Sequence, residues 1–403
     1  MRIEPRFCQM ANLLFRRSEA CHALQLGSYP TPLRKVELPG PASGDLWIKD
    51  DGQSAQPYGG NKVRKLERLL ALAQRSDARR LLTIGAAGSH HVLATSVFGR
   101  RLGLPTHAVL TPQPWTRHAE DTLRAALHSG LSAVPAASAW DALVTLRRER
   151  RPGDFVIGPG GWGSAGTWAY RLAVDELREQ LAQAGVAEID GIVVAAGSGS
   201  TAAGLLAGIL ETRIAGRVIA VQVTPNPLLR ALILGQASLA LWRQGRPLRT
   251  LRAFQCLEID GGFVGAGYGH ASERGDAATE LARSFGLALE PTYTAKAFAA
   301  ALTRVGASER YMERRKLRLH RRQTYLYWHT LSSVPLTALL TGAPTTLPND
   351  LVHLLRRDTP DPKLPDPPTV GGDTPRPGAL QGQPEPPGSA GTARSGGVGP
   401  DVT

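Results

Sequence analysis

Through its first half and beyond, the chain repeats one pattern. A short apolar run is followed by a turn of small residues, then by ten or more residues with helical spacing. Strands are expected at 46–49, 80–84, 107–110, 155–157, 191–195 and 217–221, the last closing the series. Helices are expected at 61–74, 91–102, 119–129, 165–184 and 202–211. Strands separated by helices of this length do not pair as hairpins. They form parallel sheets with helices packed on the faces. The expected class is therefore α/β, and the chemistry should lie in the turns beyond the carboxyl ends of the strands.

A length of 403 residues predicts two domains rather than one core. The stretch 358–403 is Pro, Gly, Thr and Asp with few large apolar side chains, so a disordered tail is expected there. No apolar run reaches the roughly 20 residues of a membrane span, and the first residues carry no signal-peptide core. Cys8, Cys21 and Cys256 are too scattered for a disulfide framework or a zinc site, so a cytoplasmic protein without metal is expected. His90 and His91 are adjacent and cannot face one ion from a single helix face. The net charge of +13 concentrates around 147–151 and 314–322. Neither run interleaves aromatic residues, so both read as solvated faces, and nucleic acid is not the expected partner.

Three turns carry chemistry. Gly59-Gly60-Asn61-Lys62 opens a helix with a lysine at the positive end of the helix dipole. Glycines let the backbone approach a ligand, and an amine held there has a lowered pKa and can attack an aldehyde. Alone, the string also fits a surface lysine opening an ordinary helix. Gly197, Ser198, Gly199, Ser200 and Thr201 join a strand to a helix. Backbone N–H groups and hydroxyls at a helix N-terminus cradle a phosphate. The P-loop and dinucleotide patterns are both absent, which leaves a monoester or a plain packing turn. Ser89, after the strand at 80–84, serves either a ligand or the N-cap of its helix.

A lysine able to form a Schiff base, together with a phosphate cradle, suggests pyridoxal 5′-phosphate (PLP). Lys49-Asp50-Asp51, the string Gly59-Gly60-Asn61-Lys62-Val63-Arg64-Lys65-Leu66-Glu67, the 197–201 turn, Gly267-Tyr268-Gly269 and Glu290-Pro291-Thr292-Tyr293-Thr294 follow one another in a familiar order. In these the chain resembles fold-type II PLP enzymes, the tryptophan synthase β-like group. Within that group it is similar to the 1-aminocyclopropane-1-carboxylate (ACC) deaminase/D-cysteine desulfhydrase family. The resemblance implies two three-layer α/β/α domains with mostly parallel twisted sheets and PLP in the cleft between them. Residues 1–63 and 171–357 would form the larger, PLP-binding domain and 64–170 the smaller. It also implies a homodimer acting on a small amino acid.

The implied roles are specific. Lys62 carries PLP and moves protons at the substrate. Lys65 and Gly197, Ser198, Gly199, Ser200 and Thr201 hold the phosphate, and Ser89 lies near the substrate carboxylate. Tyr268 and Tyr293 flank the substrate, and Thr294 approaches the pyridine nitrogen. His90 stands where the family has an asparagine that binds the cofactor's 3′-oxygen, and its imidazole is expected to bind the cofactor there as a hydrogen-bond donor. Leu331-Ser332 stand where the family has two glycines, and residues 310–322 form a basic insert. ACC deaminases are expected to carry glutamate at the position of Thr294. A hydroxyl there makes the ring a weaker electron sink, which suits β-elimination better than cyclopropane opening. The expectation is a D-cysteine desulfhydrase-like lyase. ACC deaminase, another amino-acid deaminase, and a PLP-fold binding protein with impaired catalysis are the alternatives.

Overall fold

The computed structural model describes residues 23–39, 44–246, 250–306 and 322–356. The expected tail at 358–403 and the insert at 310–322, apart from Arg322, lie outside the described residues. The strands are β1 (Leu33–Val36), β2 (Gly44–Asp50), β3 (Arg80–Ala86), β4 (Thr106–Thr111), β5 (Gln113–Pro114) and β6 (Leu131–Pro135). They continue with β7 (Asp154–Ile157), β8 (Gly191–Ala196), β9 (Val218–Gln222), β10 (Leu257–Asp260), β11 (Gln323–His329) and β12 (Leu355–Arg356). A four-stranded sheet has the order β6-β4-β3-β7 and is parallel throughout. A six-stranded sheet has the order β1-β2-β11-β8-β9-β10, and within it β1 alone runs antiparallel to its neighbour. A short parallel pair joins β12 to β5.

Continuous apolar runs such as Ile192-Val193-Val194 form strands buried on both faces, as parallel sheets require. On one face of the larger sheet the helices Ser164–Gln183 and Ser200–Thr212 cross at close range. A Cβ on Gly204 would lie 2.3 Å from the Thr167 carbonyl oxygen, so only glycine permits that approach.

The α/β class is observed, and the strands and helices expected from sequence are present with small shifts at their ends. The series does not close at β9, however. β10 and β11 follow it, and β11 lies at the middle of the larger sheet between β2 and β8. β6 and the helix Ala139–Glu149 also lie between expected elements. The segment 336–356 packs Leu351, Leu354 and Leu355 into the apolar cluster that contains Leu81, Leu93 and Phe98 around the smaller sheet.

A buried polar network ties β2 to the helix Asn61–Arg75 and to the helix Ser164–Gln183. Asp51 accepts hydrogen bonds from Thr31 Oγ1 and Arg64 Nε, both at 3.0 Å, and from Tyr170 Oη at 2.5 Å and Trp328 Nε1 at 2.7 Å. Glu176 receives Arg64 through both terminal nitrogens and pairs with Lys49. Buried charges persist only when paired and bonded in this way. The network fixes the helix that presents Lys62 and Lys65.

Candidate active site

Ile84, Gly85 and Ala86 at the carboxyl end of β3, Thr111 at that of β4, Ala195 of β8, and Thr330 just after β11 meet around a cavity of about 760 Å³. Both sheets therefore contribute the strand ends where parallel α/β folds bind ligands.

Gly60 adopts φ 90°, ψ 178°, and a Cβ there would lie 2.7 Å from the Thr330 carbonyl oxygen. Side chains avoid that backbone region, and the contact excludes one as well. Asn61 N donates to that same carbonyl at 3.1 Å, and Gly59 N donates to Ser332 Oγ at 2.9 Å. The two glycines thus clamp the helix start onto the 330–332 loop and set Lys62 at the cavity wall. Lys62 Nζ donates to Asn61 Oδ1 at 2.7 Å, and Asn61 Nδ2 donates to Thr201 Oγ1 at 3.1 Å. Burial lowers the Lys62 pKa to about 8, with Glu290 pulling the other way. Burial, rather than the helix dipole invoked from sequence, is the largest cause of this lowering.

Gly199 turns left-handed at φ 79°, ψ −7° and starts the helix Ser200–Thr212, whose first residues line the same cavity as Lys62. Gln236 Nε2 donates to the Ser198 carbonyl at 3.0 Å and steadies the turn. Lys65 Nζ donates to the Gly160 carbonyl at 3.1 Å, and burial together with the charge of Lys62 holds its pKa well below that of an ordinary lysine. A cationic side chain that gains by charge neutralisation, beside a helix N-terminus, fits a phosphate.

Tyr293 Oη donates to Tyr268 Oη at 3.0 Å, and the rings stand edge to face at 87°. Burial raises the Tyr268 pKa to about 12 and that of Tyr293 well above the usual value. Thr294 Oγ1 accepts from Glu290 N at 2.8 Å and lies 3.2 Å from Glu290 Oε1. The Glu290 carboxylate accepts N–H bonds from Thr292, Tyr293 and Thr294 at 2.7, 2.8 and 2.9 Å, capping the helix Thr294–Arg304. Ser89 caps the helix His90–Arg101 through a long 3.5 Å contact with Val92 N and also lines the cavity.

Every residue singled out from sequence lines this one cavity: Lys62, Lys65, Ser89, His90, the 197–201 turn, Tyr268, Tyr293 and Thr294. Asn61 and Glu290 were missed as site residues. The run Glu-Pro-Thr-Tyr-Thr carries a helix-start signal that marks Glu290, whereas nothing local marks Asn61 as a bridge. His90 differs from expectation, because both of its ring nitrogens already have protein partners, Tyr58 and His118.

Residues 24–314 match the family described as pyridoxal-phosphate dependent enzymes. The chain belongs to that family. Among its relatives, the bifunctional D-cysteine desulfhydrase/ACC deaminase of Arabidopsis thaliana is 29% identical over 73% of this chain and 76% of that protein. The nocardicin C-9′ epimerase of Nocardia uniformis subsp. tsuyamanensis is 31% identical over 75% of this chain and 90% of that protein. The solved structure of an ACC deaminase homologue has a TM-score of 0.62 and 26% identity, covering 84% of this chain and 100% of the other. PLP is accordingly the cofactor. The left-handed turn at Gly199, the buried amine of Lys62 and the donor-rich wall around Lys65 fit its phosphate and aldehyde.

Proposed function

We propose that the protein is a PLP-dependent lyase that performs β-elimination on a small D-amino acid, with D-cysteine as the reference substrate. With water the products are pyruvate, ammonia and sulfide. The observation that carries the choice is Thr294, a neutral hydroxyl where a cyclopropane-opening enzyme is expected to have a carboxylate. The nearest carboxylate, Glu290, is already bonded to three backbone N–H groups. The name of the Arabidopsis relative joins both activities, so it supports a lyase of this pair and leaves the choice between them to Thr294.

Lys62 is the amine that attaches the cofactor. Lys65 and the N–H groups of Gly197, Ser198, Gly199, Ser200 and Thr201 hold the phosphate. When bound, PLP supplies an electron sink that lets the Cα–H bond ionise. Lys62, with a pKa of about 8, is close enough to neutral pH to take that proton. Ser89 and the N-terminus of the helix His90–Arg101 receive the substrate carboxylate. Tyr293 donates its O–H to the Tyr268 oxygen, which leaves the Tyr268 O–H to face the departing sulfur. A phenol pushed up to about 12 stays protonated until the leaving group needs the proton. A cytoplasmic homodimer belongs to the same reading. Among the described residues no helix is long and apolar enough to cross a membrane. Light scattering at twice the 43.0 kDa chain mass tests the dimer.

The protein loaded with PLP should be yellow, and borohydride should fix the label on Lys62. D-cysteine should then yield pyruvate and sulfide in equal amounts. Release of 2-oxobutanoate from ACC at a higher kcat/KM would overturn the choice of substrate. A colourless protein with no reducible label would sink the lyase reading altogether.

A further inference from the structure

His90 opens its helix and lines the cavity, yet neither of its ring nitrogens is free. Nδ1 meets the Tyr58 hydroxyl, and Nε2 lies 3.0 Å from Nε2 of His118. The Tyr58 and His90 planes lie 15° from parallel with centroids 6.3 Å apart, and the His90 and His118 rings are tilted by 44° with centroids 4.9 Å apart. Tyr58 is buried, and His90 is the hydrogen-bond partner found for its hydroxyl among the described residues. A buried hydroxyl donates to whatever acceptor it has. The Tyr58 O–H therefore points at Nδ1. A neutral imidazole that accepts at Nδ1 carries its proton on Nε2. That N–H then points at Nε2 of His118 as its acceptor. Burial, then the nearby His118 and Lys62, hold His90 in the neutral form. These groups come from each element against the ring: Tyr58 from the loop before the helix Asn61–Arg75, Lys62 from that helix, and His118 from the helix Arg117–His128.

We propose that His118 is a positioning residue that takes the only N–H of His90 and turns it away from the cofactor. At this wall the cavity then offers imidazole carbon where a hydrogen-bond donor was expected. The inference rests on the PLP reading of the Lys62 site. It also reverses the role that the resemblance implied for His90, because the cofactor's ring oxygen receives no donor from residue 90. A donor on that oxygen would stabilise its negative charge and weaken its hold on the proton shared with the Lys62 nitrogen. The wild-type arrangement retains that proton to higher pH.

Two readouts test this on the loaded enzyme. In ¹⁵N-histidine spectra, His90 should show a protonated Nε2 and a bare Nδ1, and Tyr58→Phe should mix the two tautomers. In the pH titration of the visible band, His118→Ala and His90→Asn should each lower the midpoint, changing the ratio of the two forms at fixed pH about threefold or more. His118→Gln keeps an acceptor in place and should titrate like wild type, which separates positioning from a fold defect. A wild-type His90 protonated on Nδ1 would overturn the proposal, as would an unchanged midpoint in both His118→Ala and His90→Asn. If no label forms on Lys62, the PLP reading fails instead. The tautomer measured on the unloaded chain then still decides the His118 assignment.

Discussion

Asp51→Asn is the sharpest test of how the fold holds Lys62. The Asp51 carboxylate is fully buried and meets four donors, two on each oxygen: Thr31 and Arg64 on Oδ1, Tyr170 and Trp328 on Oδ2. A carboxylate accepts on both oxygens, whereas an amide accepts on one and presents N–H on the other. Whichever way the asparagine turns, two buried donors face another donor. Each lost bond of this kind costs about 1–3 kcal/mol. Removing one member of a buried ion pair costs about 3–5 kcal/mol in general. These losses overlap, and Arg64 keeps Glu176 at 2.8 and 2.9 Å, so the two costs are not added together. The expected loss is about 4 kcal/mol, a large share of a stability of about 5–15 kcal/mol. For a chain of this size that is a fall in Tm of about 5 °C. Denaturant unfolding and thermal circular dichroism of the cofactor-free chain would measure it, and cofactor affinity should fall in parallel. A loss under about 1 kcal/mol would refute the view that this carboxylate organises the helix start.

Four further outcomes are expected. Gly60→Ala meets the Thr330 carbonyl in a backbone region closed to side chains, so it should cost roughly 1–3 kcal/mol and weaken labelling of Lys62 by borohydride; normal labelling and Tm would contradict the clamp. Lys62→Met should raise the Tm of the cofactor-free chain near pH 7, because Lys62 is held below its ordinary pKa. Between about pH 8 and 10.5 the unfolded chain binds more protons, so the penalty is full below about pH 8 and fades as pH rises towards 10.5; a variant Tm below that of wild type near pH 7 would count against it. Asp51, whose burial is outweighed by Arg64 and Lys49, has a lowered pKa; its contribution should be present above pH 3.8 and disappear as pH falls below it, read as an acid-unfolding midpoint that Asp51→Asn displaces. Tyr268→Phe should lower pyruvate release about 10²-fold or more with the visible band intact, and an unchanged kcat would remove the phenol from proton transfer.

Sequence could reach the site because its reactive pieces are local. Gly59-Gly60 next to Lys62 and the small-residue turn at 197–201 are short strings whose backbone demands can be read one residue at a time. The partners that tune them are not local. His118 lies 28 positions from His90, and β11 enters the larger sheet between strands far from it in sequence. The run Tyr325-Leu326-Tyr327-Trp328 of β11 was not read as a strand, since it follows the basic stretch at 314–322 and closes no local βα unit.

The sequence by itself determined the α/β class, the positions of most strands and helices before β10, and the choice of a lysine and a small-residue turn that line the cavity. These follow from periodicity and glycine chemistry, which act over a few residues. Only the tertiary structure decided that Lys62 owes its low pKa mainly to burial, that Glu290 is tied up by backbone N–H groups, and that both ring nitrogens of His90 meet protein partners, Tyr58 and His118. Each depends on which groups are brought within hydrogen-bond range and shielded from water, a property of packing across the whole chain.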